Sequence, residues 1–344
     1  MNLVEFAREL IDIDSTTGRE QQAGEWLAGA LRSLGYHVQE QPVAGGRVNV
    51  LATLGTPAVV FSTHYDCVPP FIPAAVRDGT LRGRGACDAK GILAAQVAAA
   101  ERMRAAGERR VGLLFVVGEE RGSDGARVAN ASPAGSRYLI NGEPTDSRLA
   151  LATRGILRVR LHAAGKAAHS STPDEGISAI DRLLDALIQL RGVEFPSDPD
   201  LGPTYYTVGL IEGGVAPNVV PPHASAEVMF RTVSPADGLL ERMQVLRPLV
   251  EFEEVLRVPH IRFKTWDGLP MDTAVFPFTT DVPWLDRWGT PLLFGPGSIR
   301  VAHTQDEHIT IAELERAVDR YEFLARACLD EIGPAGGSLD SQGR

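Results

Sequence analysis

The apolar run VGLLFVV at residues 111–117 restricts the fold of this chain more than any other segment. It leaves no polar face for solvent, which is typical of a strand buried on both sides of a sheet. Further strands are predicted near 48–54, 58–62 and 138–140, with an alanine-rich helix at 92–104 between them. Strands that alternate with helices predict an α/β domain with a mixed sheet between helices.

The hydrophobic pattern changes near residue 153, where apolar and polar residues alternate through 157–162. Such alternation predicts a half-buried strand with one wet face. The order β-α-β-β-α-β that follows suits a small open sheet with helices on one face, which is a ferredoxin-like arrangement. We therefore predict a discontinuous α/β domain at 1–152 and 266–344, with a smaller α+β domain inserted at 153–265.

Two predicted helix starts carry the sequence of a capping box, in which a Thr and a Glu three residues later satisfy each other's backbone N–H groups. Thr17 and Glu20 predict the start of a helix that runs to about Ser33, and Thr310 and Glu313 predict the start of the last helix. The tail GPAGGSLDSQGR is rich in Gly and Ser and is predicted to be disordered.

Composition argues against several classes of protein. The formal net charge is −10 and no run of Lys or Arg occurs, so no nucleic-acid partner is expected. No membrane association is expected, because no apolar stretch approaches the ~18 residues of a span and the acidic N-terminus lacks the basic start of a signal peptide. The three cysteines form no disulfide framework and no CxxC motif, which favours a reducing, cytoplasmic setting.

Polar residues follow the predicted buried strands of the first domain. His64 and Asp66 come after one strand, and Glu119 and Glu120 come after the run at 111–117. In open α/β sheets, ligands bind outside the carboxyl ends of the strands. The whole set that we expect at this edge is His64, Asp66, Asp88, Glu119, Glu120, Glu143 and His303.

Imidazole nitrogens and carboxylate oxygens bind divalent metals, and so many acids would repel one another without a cation. Two metals that share one carboxylate satisfy the set, and Asp88 suits the bridge because its side chain is short and held by a loop. Asp66 shares a strand face with His64 and is predicted to accept the spare N–H of that ring, which fixes the tautomer. Of Glu119 and Glu120, one binds metal and the other acts as general base on a water.

The sequence resembles the M20 family of dinuclear zinc aminoacylases and exopeptidases over essentially the whole chain to about residue 332. The matching stretches are THYDCVP, GRGACDAKG, GEERGSDGA, NGEPTD, GKAAHSSTPDEGISAI, GGVAPNVVPPHASAEVMFRT and GPGSIRVAHTQDEHI. The last is most similar to the acetylornithine deacetylase branch, next to succinyl-diaminopimelate desuccinylase. The resemblance implies that 1–152 and 266–344 form a zinc-exopeptidase-like catalytic domain with two Zn²⁺ ions, for which Co²⁺ or Mn²⁺ substitutes. It also implies that the inserted domain at 153–265 is a lid and dimerisation domain, through which a homodimer forms.

The resemblance also implies which residues hold the metals. His64 and Glu143 hold one zinc, Glu120 and His303 hold the other, and Asp88 bridges the two, with the peptide bond after it often cis in this family.

Further roles come from the resemblance alone. Glu119 is implied as the general base and later the proton donor. His169 is implied as the donor that stabilises the oxyanion, often across a dimer interface. Asn218 and Arg231 are implied as contacts to the carboxylate or carbonyl of the substrate.

The predicted reaction is hydrolysis of the amide bond of a small N-acyl amino acid, as in acetylornithine deacetylase, in a setting of amino-acid biosynthesis. An exopeptidase that acts as a dipeptidase or carboxypeptidase on short peptides uses the same metals, and the motifs barely separate the two. A non-catalytic binding protein on this scaffold is expected to lose Glu119 or a ligand, and this chain keeps them all. A serine or cysteine hydrolase is disfavoured because no GxSxG motif occurs. Cys67 and Cys87 are interpreted as small buried residues, since nitrogen and oxygen ligands already complete the site.

Overall fold

In a computed structural model of the protein, the described residues are 1–333, so the predicted disorder of the tail concerns residues that lie almost wholly outside this range. The described chain divides into two compact units. The first comprises Met1–Leu151, Phe263–Ala274 and the chain from Thr280 onward, and the second comprises Ala152–Arg262 and Val275–Thr279. Across residues 1–333 we find no helix with the length and apolar character that a membrane span requires.

The elements follow one another in the order that the alternating sequence pattern predicts. The α-helices are α1 (Leu3–Ile11), α2 (Gln21–Ser33), α3 (Lys90–Ala105), α4 (Asp124–Ala131), α5 (Ala179–Arg191), α6 (Ala236–Arg242) and α7 (Ile311–Ile332). The strands are β1 (His37–Pro42), β2 (Val48–Thr53), β3 (Val59–His64), β4 (Ala75–Arg77), β5 (Thr80–Arg82), β6 (Val111–Val116), β7 (Tyr138–Asn141), β8 (Leu149–Thr153), β9 (Gly155–Ala164), β10 (Ser197–Asp198), β11 (Gly202–Pro203), β12 (Tyr205–Gly213), β13 (His223–Thr232), β14 (Glu251–Val258), β15 (Ile261–Arg262), β16 (Thr273–Phe276), β17 (Thr290–Leu293) and β18 (His308–Thr310).

A six-stranded mixed sheet organises the first unit, in the order β1-β2-β6-β3-β7-β17. Strands β6, β3, β7 and β17 run parallel to one another, whereas β2 pairs antiparallel with both β6 and the edge strand β1. Every residue of β3 and β6 is buried, as the unbroken apolar run predicts. The parallel strands therefore bring four carboxyl ends to one edge of the sheet.

Helices cover both faces of this sheet. On one face, Phe61 and Phe115 join a core with α1, α2, α3 and α7, and the ring of Phe61 packs 5.4 Å from that of Tyr321. On the other face, Val60 and Leu114 pack with α4 residues and the buried Trp288. Alternating residues of one strand thus pack into two separate hydrophobic cores. The predicted α/β fold, with a sheet between helices, is therefore confirmed.

The two predicted capping boxes have different outcomes. At α7 the box is present, with Glu313 N–H donating to Thr310 Oγ1 and Thr310 N–H donating to Glu313 Oε2, both at 3.1 Å. At α2 the prediction is wrong, because the Thr17 hydroxyl donates to the carboxylate of Asp66 and the helix start has no side-chain cap. The Thr17 hydroxyl is directed at a charged, buried acceptor and away from the helix start, while the Glu20 carboxylate accepts the N–H of Gly18 in place of that of Thr17.

The second unit is a four-stranded antiparallel sheet of order β12-β13-β9-β14 with α5 and α6 packed on one face. Along β13, buried and more exposed residues alternate, as the sequence pattern predicts for a strand with one wet face. This strand order, with helices after the first and third strands, is that of a ferredoxin-like fold.

Candidate metal centre

The parallel strands deliver the predicted ligands to one edge of the large sheet. His64 is the last residue of β3, the Glu119–Glu120 pair follows β6, and Glu143 lies two residues beyond β7. His303 lies in the loop between β17 and β18. These positions follow the general preference for ligands outside the carboxyl ends of parallel strands.

Five of these side chains form two groups of three that share one member. Within each group, the potential ligand atoms lie within 4.8 Å of one another. One group is His64, Asp88 and Glu143, and the other is Asp88, Glu120 and His303. Asp88 belongs to both, with its Oδ1 3.1 Å from His64 Nε2 and its Oδ2 3.3 Å from His303 Nε2. Its two oxygens therefore face different histidines, which is the arrangement that a bridging carboxylate requires. The Asp88–Ala89 peptide bond is cis.

The chemistry of these residues fits two divalent cations. His64, Asp88 and Glu143 are almost fully buried, and Glu143 Oε1 has no hydrogen-bond partner among residues 1–333. A buried carboxylate oxygen without a partner is costly unless a cation or another donor binds it. Two imidazoles and three carboxylates are also the ligand types that zinc and related ions prefer. The residues present are therefore suited to hold two such ions.

The protonation of these side chains reflects the excess of acids among them. Hydrogen bonds to Asp88 and then Glu120 raise the pKa of His303 to about 10. Burial raises the pKa of the Glu143 carboxyl, although the nearby His64 opposes this shift. The histidines therefore compensate part of the negative charge of the surrounding carboxylates, as a cation would.

The orientation of His64 is fixed by Asp66, but not in the way that the sequence predicts. His64 Nδ1 lies 3.0 Å from the backbone carbonyl oxygen of Asp66, while the Asp66 Oδ1 atom is 3.5 Å away. The nearer acceptor is thus the peptide oxygen, which corrects the predicted role of the side chain. A backbone carbonyl serves equally to keep Nε2 directed at a metal.

The carboxylate of Asp66 instead anchors the loop of the two adjacent glutamates. It accepts the backbone N–H groups of Glu119 and Glu120 at 3.1 and 3.3 Å, and the hydroxyl of Thr17 at 2.9 Å. Gly118 precedes this loop at φ 76°, where a Cβ would lie 1.9 Å from an Asp124 oxygen. The turn that follows it separates the directions of the two glutamate side chains.

Glu120 joins the second ligand group, and Glu119 does not belong to either group. Burial, and then the neighbouring charge of Glu143, raises the pKa of the Glu119 carboxyl well above its usual value. A carboxylate with a raised pKa is suited to accept a proton from water near neutral pH.

Two residues that sequence analysis missed lie against the ligand loops. Thr17 reaches Asp66, and Glu307 accepts the backbone N–H of Asp88 at 3.0 Å. The only sequence signal for Glu307 is its position in the motif AHTQDEH, four residues after His303.

The predicted residues of the second unit fall into two places. His169 is exposed, its Nδ1 is 2.8 Å from Ser171 Oγ, and its loop pairs with that of Asn218 through a 3.0 Å hydrogen bond from Ser170 N–H to the Asn218 carbonyl. Arg231 lies at the far end of β13, paired with Tyr205 and Ile156. This unit thus brings His169 and Asn218 together and does not bring Arg231 to them.

The chain is similar to known peptidases over most of its length. Residues 60–327 match the family described as Peptidase family M20/M25/M40. A peptidase M20 domain-containing protein of Schizosaccharomyces pombe is 36% identical over 335 residues, covering 94% of this chain and 84% of that protein. A protein of Aspergillus terreus named "Probable carboxypeptidase" is 38% identical over 376 residues, covering 94% of this chain and 86% of its own length.

A solved structure has the same fold. The crystal structure of a tripeptidase from Staphylococcus aureus superposes with a TM-score of 0.79 at 22% identity, covering 95% of this chain and 98% of that one. With the match over residues 60–327 and the identity to the fungal proteins, the chain belongs to peptidase family M20/M25/M40 and is a metal-dependent hydrolase.

Proposed function

We propose that this enzyme is an exopeptidase that removes a residue from the carboxyl end of a short peptide. The observation that carries the proposal is the pair of ligand groups that share Asp88, with the free carboxyl of Glu119 beside them. Its similarity to the Aspergillus terreus protein named as a carboxypeptidase supports this specificity.

His64 and Glu143 would hold one Zn²⁺, Glu120 and His303 the other, and Asp88 both, with Co²⁺ or Mn²⁺ as substitutes. Two ions at these residues would polarise the scissile carbonyl and lower the pKa of a water. Glu119 takes a proton from that water and then donates it to the leaving amine. Asp66 holds Glu119 in place through its backbone N–H during both transfers.

The second unit supplies the groups that bind the substrate in this proposal. His169 donates to the developing oxyanion, and Asn218 and Arg231 contact the substrate carbonyl or carboxylate. A guanidinium such as that of Arg231 forms bidentate hydrogen bonds with a free terminal carboxylate. Because Arg231 lies at the end of β13 far from the paired loops of His169 and Asn218, the complete site in this proposal takes His169 and Asn218 together from a second copy.

A homodimer through the inserted unit is therefore part of the proposal. The edge strand β12 exposes Leu210 and Ile211 by 58% and 60%, and α5 exposes Ile188 by 64%. An open edge strand with apolar side chains is a surface on which the same strand of a second copy can pair.

A cytoplasmic location also belongs to the proposal. Cys67, Cys87 and Cys328 are all buried and unpaired, which suits a reducing compartment. The proposed substrate is a small peptide, and no nucleic acid or membrane enters the reaction.

The second candidate is deacylation of an N-acyl amino acid, as the resemblance of GPGSIRVAHTQDEHI to acetylornithine deacetylases favours. Both reactions cleave an amide beside a free carboxylate, so the site residues and their roles are unchanged. The fungal relatives described above favour the peptidase.

A substrate panel with metal-loaded protein separates the candidates. Amine release is measured from an unmodified peptide, from the same peptide with an amidated carboxyl end, from the same peptide with an acetylated amino end, and from N-acetyl-L-ornithine. A carboxypeptidase cleaves the first and third and spares the second. If only N-acetyl-L-ornithine is cleaved, the proposal is overturned in favour of the deacylase. If cleavage of the peptides requires a free amino end, the proposal is overturned in favour of an aminopeptidase.

A further inference from the structure

Glu307 is a buried carboxylate that belongs to neither ligand group and yet contacts the loop that bears the bridging ligand. Its side chain is wholly inaccessible to solvent. One oxygen, Oε1, accepts three backbone N–H groups, from Gly85 at 2.9 Å, Cys87 at 3.2 Å and Asp88 at 3.0 Å. An anion that receives several N–H groups from one loop fixes the course of that loop.

The other oxygen of Glu307 is paired with Arg84, which is itself 2% exposed. Arg84 Nη1 donates to Glu307 Oε2 at 2.5 Å and to the backbone carbonyl of Thr304 at 3.2 Å. The guanidinium compensates the charge of the buried carboxylate, which would otherwise be costly to desolvate. It also ties this ion pair to the residue that directly follows His303.

Glu307 therefore connects the two segments that carry Asp88 and His303. Asp88 is held through its own N–H, and His303 lies on the loop from which Glu307 projects. His303 has a left-handed backbone conformation, with φ 64°, which surrounding contacts must maintain. In contrast, His64 is placed by the end of strand β3 and by the Asp66 carbonyl, neither of which involves Glu307.

We propose that Glu307, together with Arg84, is a positioning residue for the second ligand group, formed by Asp88, Glu120 and His303. The inference rests on the proposed function, since it assumes that this group binds a metal ion. Loss or displacement of the Glu307 carboxylate relaxes Asp88 and His303 together. Asp88 is shared by both ligand groups, but only the second group also contains His303, so the second ion loses the placement of two ligands and is weakened more than the ion at His64 and Glu143.

The test is a calorimetric titration of metal-free full-length protein with Zn²⁺ for the native enzyme, E307Q and D306N. Glutamine has the size of glutamate, but its NH₂ group faces donors that need an acceptor. D306N is the matched control, because Asp306 is adjacent to Glu307 and carries the same charge. Unlike Glu307, it is exposed on the surface, where its carboxylate pairs with Arg82. Thermal unfolding of the metal-free proteins checks that each variant folds, and E307D replaces E307Q where the latter does not.

The native protein and D306N are expected to bind two ions with the same pair of affinities. In E307Q or E307D the affinity for the second ion falls by about 10–100-fold, which is the usual effect of losing a group that orients a ligand, and the affinity for the first ion falls by a smaller factor. Excess Zn²⁺ is then expected to restore turnover.

The inference is overturned if the folded variant fills both sites with native affinity, or if both affinities fall alike. A native protein that binds no Zn²⁺ at all overturns the metal centre itself, and with it the proposed function. The two failures are therefore distinct.

Discussion

The Oδ1 atom of Asp66 accepts the backbone N–H of Glu119 at 3.1 Å, so the proposed general base is held by its main chain while its carboxyl stays free. The second oxygen of Asp66 accepts the N–H of Glu120 and the hydroxyl of Thr17. Asp66 is completely buried, and its charge is stabilised by these donors. One aspartate thereby fixes the positions of the proposed general base, of a proposed metal ligand and of the N-terminal loop.

Removing the hydroxyl of Thr17 is expected to loosen this loop. A hydrogen bond to a charged group contributes about 1.5–3 kcal/mol, so T17V is expected to lose roughly that much stability against chemical denaturation. If ~1.4 kcal/mol of this loss also raises the activation free energy of the reaction, kcat/KM falls about 10-fold. T17S keeps the hydroxyl and is expected to behave like the native enzyme.

Thr16 provides the control, because its hydroxyl donates to Asp14 at 2.7 Å and not to Asp66. T16V is therefore expected to leave kcat/KM unchanged. Equal losses in T17S and T17V would show that the hydroxyl is irrelevant to the loop.

Replacing Glu119 by glutamine is expected to abolish turnover without removing metal. The variant keeps both ligand groups, since Glu119 belongs to neither, but it cannot accept a proton. General base catalysis contributes about 10²–10⁴-fold, which is the expected loss in kcat. Metal content, measured by elemental analysis after dialysis, is expected to match the native protein, whereas E120Q is expected to lose metal. Retained activity in E119Q would eliminate this residue as the base.

Metal uptake is expected to release protons and to strengthen with pH. The pKa of His303 is raised to about 10 in the absence of metal, so its ring is protonated near neutral pH and must lose that proton to bind an ion. Affinity for the second ion is therefore expected to rise from about pH 6 to about pH 8. A histidine with its usual pKa would already be neutral at the upper end of this range. Calorimetry in two buffers with different ionisation heats measures the released protons, and a heat that is independent of the buffer would contradict this.

The same shift predicts how the metal-free protein responds to alkali. The folded pKa lies above the unfolded value of about 6.5, so the contacts of His303 with Asp88 and Glu120 stabilise the fold fully below about pH 6.5 and are lost as pH rises through about 10. H303N removes the titrating ring, and asparagine tolerates the left-handed backbone at this position. When the pH is raised from neutral to alkaline, the H303N variant is expected to lose less thermal stability than the native protein.

If His169 acts on the site of a second copy, two inactive variants are expected to complement each other. In a mixed dimer of E119Q and H169A, one site carries both substitutions and the other carries neither. With random mixing of subunits in a twofold dimer, about a quarter of native activity is expected. The mixture is made by subunit exchange and assayed against each variant alone. Activity no higher than that of the separate variants would place His169 in the site of its own copy.

Three of the candidate ligand positions were predictable because each lies at the end of a buried strand that the hydrophobic pattern marks clearly. His64, Glu120 and Glu143 are at the ends of parallel strands within the mixed sheet, and the chain direction alone brings them to one edge. The ferredoxin-like order of the second unit was equally clear from strand alternation.

The roles of Asp66, Thr17 and Glu307 were harder to predict, because each depends on which of several partners is nearest. The spacing of Asp66 and His64 placed them side by side but did not distinguish the carbonyl oxygen from the carboxylate. Thr17 had the spacing of a capping residue, and only the fold reveals the charged acceptor that it meets. Glu307 binds N–H groups from a loop 222 residues earlier in the sequence, which no local pattern indicates.

That long separation also sets an order of events during translation. His64, Asp88, Glu120 and Glu143 leave the ribosome before the second unit, while His303 and Glu307 follow it. Domains generally fold as units, and the first unit also contains Phe263–Ala274 and the chain from Thr280 onward. We therefore expect the second ligand group to form only after His303 and Glu307 have been synthesised, so that the growing chain gains hydrolytic activity only at the end of its synthesis.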